Sequence, residues 1–322
     1  MEIIAFDSNF RELYPLDVDV DFEAGDYEAS NDFEVIGTGI KEYGLYVPET
    51  EFGGVFEYES GRNADEKSTF RGWTWRGLLS QWFIEPDEGE DYKVVSGEAN
   101  SIIRELLSKV LGGFFTVPNT DSGLNIVDYQ FELHVSVLKG IMDMLEEHGY
   151  KLKIYAKRIG PGQPITVFCE AIPAEKITGT YDQDTGLALT FTNNQMGINH
   201  LICWGKGELK DRQRLDLYLG ANGTISETPY HTGFKERQAV FDYGNAESLA
   251  DLRKHGKERL RELASGKTLQ IDEVNGVDME IGDIVVGRKN YSGLIIEKPI
   301  TRKILRISGG AETIEYKVKG EG

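Results

Sequence analysis

Three aspartates at alternate positions, Asp17, Asp19 and Asp21, are the first residues whose spacing could do chemistry. Carboxylates so spaced open a calcium-binding EF-hand loop, and Glu28 stands where that loop takes its bidentate ligand. The sixth position is Phe22 instead of the glycine the loop's sharp turn requires, and the interleaved Val18, Val20 and Phe22 read as one buried strand face. Asp182 and Asp184, just before Gly186, have the spacing of an ordinary hairpin turn. The five histidines (134, 148, 200, 231 and 255) are scattered, with no pair four residues apart and no Cys/His cluster, so a zinc site is not expected. His148 and His255 fall near helix ends or on charged helix faces and read as solvated. Cys169 and Cys203 lie in the apolar runs TVFCEAI and NHLICWG, where a thiol acts as a small buried hydrophobe and no disulfide is expected.

Nucleophilic catalysis finds no frame either, because neither G-x-S-x-G nor H-E-x-x-H occurs. Gly37-Thr38-Gly39 lacks a third glycine and a following helix, and Gly205-Lys206-Gly207 lacks the spacing of a phosphate-binding loop. Trp73, Trp75, Trp82 and Trp204 could line a sugar-binding face, but in such apolar strands they read as core. Acidic pairs suited to glycoside hydrolysis can be drawn in many ways from 54 Asp and Glu, so none stands out. The sequence therefore nominates no catalytic, cofactor-binding or metal-ligating residue, and no cofactor is expected.

The elements around these residues are mostly strands. Leu16 to Phe22 alternates strictly between apolar and acidic residues, followed by strand signals at Asn31–Ile36, Tyr43–Pro48 and Val55–Glu59, and FRGWTWRGLLSQ reads as a strand turning near Gly77 into an apolar run. The period then changes. Ile102, Ile103, Leu106, Leu107, Val110 and Leu111 are spaced for a helix over 98–111, and Ser136 caps a second one that ends at Gly149. Residues 151–157 and 165–172 read as a hairpin. Strands resume at Thr178 to Tyr181, Leu187 to Thr192, Ile198 to Trp204 and Arg214 to Leu219, and a helix over 246–264 is capped by Asn245 and stopped by Gly266. Strands at 267–272, 283–288, 293–297, 300–307 and 313–319 close the chain.

With 322 residues, the chain is long enough for more than one lobe, and no stretch approaches the roughly 20 apolar residues of a membrane span. The acidic N-terminus has no signal-peptide pattern, so a soluble protein made in the cytoplasm is expected. The formal charge is −19, and residues 1–95 hold 23 Asp and Glu against 7 Lys and Arg. A nucleic-acid binder shows the opposite sign, so sequence reading or phosphate tracking is not expected, and the charge reads either as solubility or as a surface that must not adhere to DNA.

The C-terminal third carries a resemblance. The helix NAESLADLRKHGKERLRELASGK precedes Gly282-Asp283, Gly287-Arg288, Gly293, Ile300-Thr301 and Glu315-Tyr316, and NDFEV, Gly53-Gly54 and FRGWTWRGLLSQ stand upstream. In order and spacing this resembles the siphophage tail-hub family, also found as the N-terminal part of tail-associated lysins and similar to the myovirus baseplate hub. The resemblance implies a β-rich α+β protein with two β-barrel-like, tail-tube-type domains carrying smaller α/β insertions. The expected division is 1–85 for the first barrel, 86–173 for an inserted α+β lobe, 174–244 with 267–322 for the second barrel, and 245–266 for an inserted helix. It also implies a structural, non-enzymatic virion tail protein that forms a homotrimeric ring, joins the tail tube to the tip and forms part of the DNA channel. The expected partners are distal tail and tail-tube proteins and tail fibre or tip proteins, assembled in the bacterial host cytoplasm, from a phage, prophage or phage-tail-like particle. The chain is expected to end at the hub's last strand without a lysin. A tail-associated cell-wall or polysaccharide hydrolase, or a carbohydrate- or receptor-binding tail module, is the alternative.

Overall fold

The computed structural model describes residues 1–62, 64–179, 186–193, 197–220, 224–246, 248–264, 267–275, 277–289 and 293–320. Tyr181, the turn at Asp182–Thr185 and the helix stop at Gly266 lie outside them. The chain separates into two compact units, residues 1–189 with 270–322 and residues 190–269.

The first unit begins with seven strands: β1 (Ile4–Phe6), β2 (Glu12–Pro15), β3 (Asp19–Gly25), β4 (Asp32–Gly37), β5 (Gly44–Tyr46), β6 (Gly53–Ser60) and β7 (Ser68–Thr74). The alternation read from the sequence holds in β3, where Val20, Phe22 and Ala24 are buried while Asp21 is exposed. Phe22 opposes Phe33 across the β3–β4 pair, and Val35 opposes Phe70 across β4–β7. Their rings and methyls form a core with Phe52, Leu305 and Ile307. Each such side chain, fully buried, contributes about 1.5–3 kcal/mol relative to exposure.

At Thr74 the period changes and α1 (Trp75–Ser80) starts, with the Thr74 side chain accepting from the Gly77 N–H. β8 (Val94–Glu98) leads into α2 (Ala99–Ser108), capped by Glu98, whose carboxylate accepts from the N–H groups of Asn100 and Ser101. Burial alone would raise this carboxyl, but bonds from Ser122, Asn100 and Ser101 outweigh it and hold it down to about 2. β9 (Phe115–Thr116) and β10 (Asn125–Gln130) precede α3 (Val137–Glu146), capped by Ser136 as expected. The predicted hairpin is β11 (Tyr150–Arg158) and β12 (Ile165–Pro173). The inward faces of α2, α3, β11 and β12 form a second core, which also takes in Phe6, Trp75 and Leu79. The lobe expected over 86–173 therefore shares a core with the N-terminal strands and with α1.

β13 (Lys176–Gly179) follows, and β14 (Gly186–Asn193) carries the chain into the second unit. There β15 (His200–Trp204), β16 (Arg214–Leu219), β17 (Ile225–Ser226) and β18 (Gln238–Asp242) form one sheet in the order β17-β16-β15-β18. α4 (Leu249–Leu263) covers one face, burying Leu252 and Leu260 against Leu201, Cys203 and Leu217. Its N-cap is Ser248, not Asn245. The Ser248 hydroxyl accepts from the Asp251 N–H at 3.1 Å, so the helix begins three residues later than expected. β19 (Lys267–Asn275) returns to the first unit, pairing with β14.

The last strands are β20 (Ile284–Lys289), β21 (Leu294–Ser308) and β22 (Ala311–Val318). The two strands expected at 293–297 and 300–307 are one. Its first half pairs with β20 up to Pro299, and its second half pairs with β3 and β22. β21 thus joins the chain's two ends into a sheet running β13-β20-β21-β3-β4-β7-β6-β5-β1-β2. The β-rich α+β class holds, but no closed barrel is found among the described residues. The N-terminal strands β1–β7 and the strands β13 and β20–β22 hydrogen-bond into one open sheet because β3 takes β21 as its neighbour, while β14 with β19 and β15–β18 form sheets of their own.

The β7–α1 turn tests this packing. A Cβ added at Gly77 would lie 2.2 Å from the Asn31 carbonyl oxygen, which already accepts from the Thr74 N–H and hydroxyl. Gly77→Ala should therefore cost about 1–3 kcal/mol in urea unfolding, the usual range for overpacking. Gly160→Ala, whose Cβ would meet nothing closer than 3.8 Å, should be nearly neutral. Equal midpoints for the two variants would refute this account of the turn.

Candidate functional site

The residues singled out in the sequence do not converge. Asp21 pairs with Arg306 at 3.0 Å and Asp19 accepts from the Gly309 N–H at 2.8 Å, so both serve the sheet. Glu28 is exposed, and its N–H donates to Asp26. Asp182 and Asp184 lie outside the described residues. Among the described residues no group of three or more His, Cys, Asp and Glu is arranged to hold a metal. Cys169 and Cys203 are free and buried, and burial pushes both thiols up, Cys203 to about 11. Trp75 is fully buried and packs on Phe6, whereas Trp82 is exposed. Trp204 is covered by the Arg214 guanidinium at 5.5 Å, which occupies the ring face a sugar would need. Gly205 and Lys206 form a hairpin turn with Gln213.

His148 is exposed, and its Nδ1 lies 2.9 Å from the Met144 carbonyl. His200 is buried in the second unit, which the sequence reading missed. Its ring lies between Glu236 (2.7 Å from Nδ1) and Asp216 (2.9 Å from Nε2) and stacks on Tyr218. Strand pairing alone brings these groups together, so no local spacing marks them.

The densest chemistry is a network of buried ions in the first unit. The Arg76 Nε donates to Glu51 at 2.8 Å, Nη2 to the Leu152 carbonyl at 2.9 Å and Nη1 to the Met142 sulfur at 3.7 Å. Lys151 reaches Asp283 at 2.6 Å and Glu280 at 2.8 Å, and Lys153 reaches the other Glu280 oxygen at 3.2 Å. Asp283 also accepts from the N–H groups of Glu175 and Glu280. Lys303 donates to Asp278 at 3.1 Å and to the Met279 carbonyl at 3.0 Å, above the rings of Phe52 and Tyr316. Burial would raise the Glu280 carboxyl, but the Lys151 hydrogen bond and the Lys151 and Lys153 charges hold it below its usual value. Burial would likewise lower the Lys303 ammonium, and the charges of Glu51, Tyr316 and Asp278 more than reverse that.

This network resembles an active site only in composition. Its ions answer one another, and the space beside them is about 60 Å³. A small-molecule site takes roughly 300–1,000 Å³. A wider hollow of about 900 Å³ is lined by Tyr14, Asp19, Ile36, Thr38 and Glu312 among others, without a catalytic grouping. The solvent face of the large sheet is a charge ladder. Arg71 on β7 pairs with Glu34 on β4, Asp21 on β3 with Arg306 on β21, and Arg306 again with Glu315 on β22.

End to end, this architecture has a counterpart among solved structures. The 43 kDa tail protein of prophage MuSo2 from Shewanella oneidensis is 13% identical, with a TM-score of 0.51 over 99% of this chain and 98% of that one. The fold is that of a phage tail protein. A tail protein from Neisseria meningitidis MC58 (12% identity, TM-score 0.48, 99% and 96% covered) and a prophage tail protein from Listeria monocytogenes EGD-e (13%, 0.47, 99% and 95%) are also similar. No protein-family model matches the sequence, and no curated protein matches it. The tail-protein resemblance read from motifs along nearly the whole sequence therefore holds for the fold.

Two measurements probe the network. Arg76→Met leaves Glu51 buried without its cation and should cost about 3–5 kcal/mol in urea unfolding; Arg76→Met with Glu51→Leu should recover most of that. A double variant no better than the single one would show that the guanidinium matters for its shape alone. The Glu280 carboxyl is held low in the folded state, so its contribution is present above the ordinary carboxylate range and is lost as pH falls through its folded value. Stability should therefore drop on acidification below about pH 4.5, and less so in Glu280→Gln. Parallel pH profiles for the two proteins would contradict this.

Proposed function

We propose that this chain is a structural, non-enzymatic protein of a phage tail, placed at the baseplate or tail-tip hub. There it joins the tail tube to the tip and forms part of the DNA channel. The reading rests on one observation above the others, the likeness in fold to the MuSo2 tail protein over almost the whole of both chains. The chain's own chemistry supports it. The buried charges are engaged with one another, and the charged sheet face suits contact with water or polar neighbours more than a hydrophobic ligand.

The charge distribution bears on the channel. Residues 1–95 hold 23 Asp and Glu against 7 Lys and Arg, and a wall of that sign repels phosphates and lets duplex DNA slide. In the assembled tail three copies form the ring, with distal tail and tail-tube proteins on one side and fibre or tip proteins on the other. Their unpaired sheet edges are paired in trans, as an open sheet requires. No membrane enters this reading, and no helix of the described residues is long and apolar enough to cross one.

Electron microscopy of the purified full chain, alone and mixed with its neighbouring tail-tube protein, tests the proposal. The expected particle is a threefold ring with an open channel lined by acidic residues of the first 95, and duplex DNA should not be retained even at low salt. A compact monomer in both conditions, or acidic residues facing outward from a ring, would overturn the hub and channel roles respectively. Release of wall fragments by the purified chain would favour the hydrolase alternative.

A further inference from the structure

The two units differ in charge and in what they leave exposed. Residues 190–269 hold 12 Lys and Arg against 10 Asp and Glu, whereas the remainder holds 23 against 44. Between β17 and β18 the chain makes a turn whose tip is Phe234, 100% exposed, with Tyr230 also exposed nearby. This turn is braced. The Asn199 side chain donates to the Lys235 carbonyl at 2.7 Å and accepts from the Arg237 N–H at 2.9 Å. The Arg237 guanidinium donates to the Phe234 carbonyl at 2.6 Å, and Arg253 holds Glu227 at the other end. Lys235 and Arg237 are exposed, and neither has a carboxylate partner among the described residues. An aromatic side chain on a pre-ordered turn loses little freedom when it docks, and an aromatic flanked by cations is a common interface anchor.

The first unit carries the complement. A hollow of about 840 Å³ is lined by Val127, Asp128, Tyr129, Glu132, Glu147 and His148. Val127 is 70% exposed and, with the half-buried Tyr129 ring, gives the hollow an apolar wall. Glu146 stands at its rim 3.6 Å from Lys319, and Lys139 answers Asp143, which leaves more carboxylates than cations around the opening. Burial, together with the Glu147, Asp143 and Glu132 charges, pushes the Tyr129 hydroxyl up to about 12.

We propose that the Phe234 turn of one copy of this chain docks into the acidic hollow of a second copy. Phe234 meets Val127 and Tyr129, while Lys235 and Arg237 face Glu132, Glu146 and Glu147. Neither surface complements itself, because a second basic turn or a second acidic hollow would oppose like charges. The contact is therefore head-to-tail, and such contacts close into rings when the rotation between copies permits. The inference deepens the ring reading above and depends on it only for that closure.

Sedimentation of the full chain over a concentration series, at low and high salt, provides the test. Wild type should self-associate, more weakly at high salt, and Phe234→Ala should weaken association by at least about tenfold. Lys235→Glu with Arg237→Glu, and separately Glu132→Lys with Glu147→Lys, should each abolish it. Mixed together, these two double variants offer an intact turn to an intact hollow and a charge-reversed turn to a charge-reversed hollow, so association should return. Wild type that stays monomeric up to about 1 mM, or variants that associate like wild type, would overturn the contact. Binding of wild type, but not Phe234→Ala, to anionic phosphatidylserine vesicles without self-association would assign the turn to a lipid surface and overturn it too. If the mixed variants pair while wild type grows into open filaments, the contact stands and the ring reading fails.

Discussion

A guanidinium taken out of water must be answered on every side, and Arg76 imposes that constraint on the first unit. Its three nitrogens find Glu51 just ahead of β6, the Leu152 carbonyl on β11 and the Met142 sulfur on α3. Such an ion costs several kcal/mol to desolvate, and only fixed partners repay it. The arrangement therefore requires the sheet, the helix–hairpin lobe and the β7–α1 turn to meet in one geometry. The neighbouring Trp75 fixes the same turn from the apolar side, stacking on Phe6 with ring centroids 6.2 Å apart. One dipeptide thus places an aromatic in the core that joins strands to helices and a cation in the network beside it.

The C-terminal segment is tied in by the same means. Lys151 on β11 reaches Asp283 and Glu280, and Lys303 on β21 reaches Asp278 and the Met279 carbonyl. The acids stand in the loop before β20, so these pairs hold that loop against the lobe and β21 against the core containing Phe52. Hydrophobic residues of equal volume could supply comparable stability, since buried ion pairs recover little net energy. Directional bonds add a demand for one register. That register lets a single strand, β21, bridge the chain's two ends.

How much of this was legible in the sequence follows from the range of each signal. The alternation of Leu16–Phe22 and the helical spacing of Ile102 to Leu107 report one buried face, a local property; the first is realised in β3, which starts three residues later at Asp19, and the second in α2. The cap at Ser136 is equally local. Closure of a sheet is not, and alternation cannot say which strand lies alongside. In place of the barrels that the resemblance implied, the N- and C-terminal strands form one open sheet among the described residues, in which β21 pairs with β3, residues more than 270 positions apart. The helix cap misplaced to Asn245 shows a finer limit, because two suitable residues three apart compete and it is the Ser248 hydroxyl that accepts from the Asp251 N–H. The ion network was invisible for the same reason as the sheet order: Lys151 and Asp283 are separated by 132 residues. Exposure is hidden too, and nothing in the letters around Phe234 distinguishes an uncovered phenylalanine from a buried one.

That last distinction separates chemistry from assembly in this molecule. A catalytic site keeps polar groups convergent on an open volume large enough for substrate, and holds them short of full mutual satisfaction so that they can engage it. The buried cations here are engaged with the chain itself: Arg76, Lys151 and Lys303 each face carboxylates or carbonyls, and the space beside Arg76 and Lys303 is about 60 Å³. What the fold leaves unanswered lies on the outside instead: the free edges of an open sheet, the cations beside Phe234 and the excess carboxylates around Val127. Exposed charges of that kind are already held by water, so an opposing surface lowers their free energy only where its complementary charges more than replace that hydration.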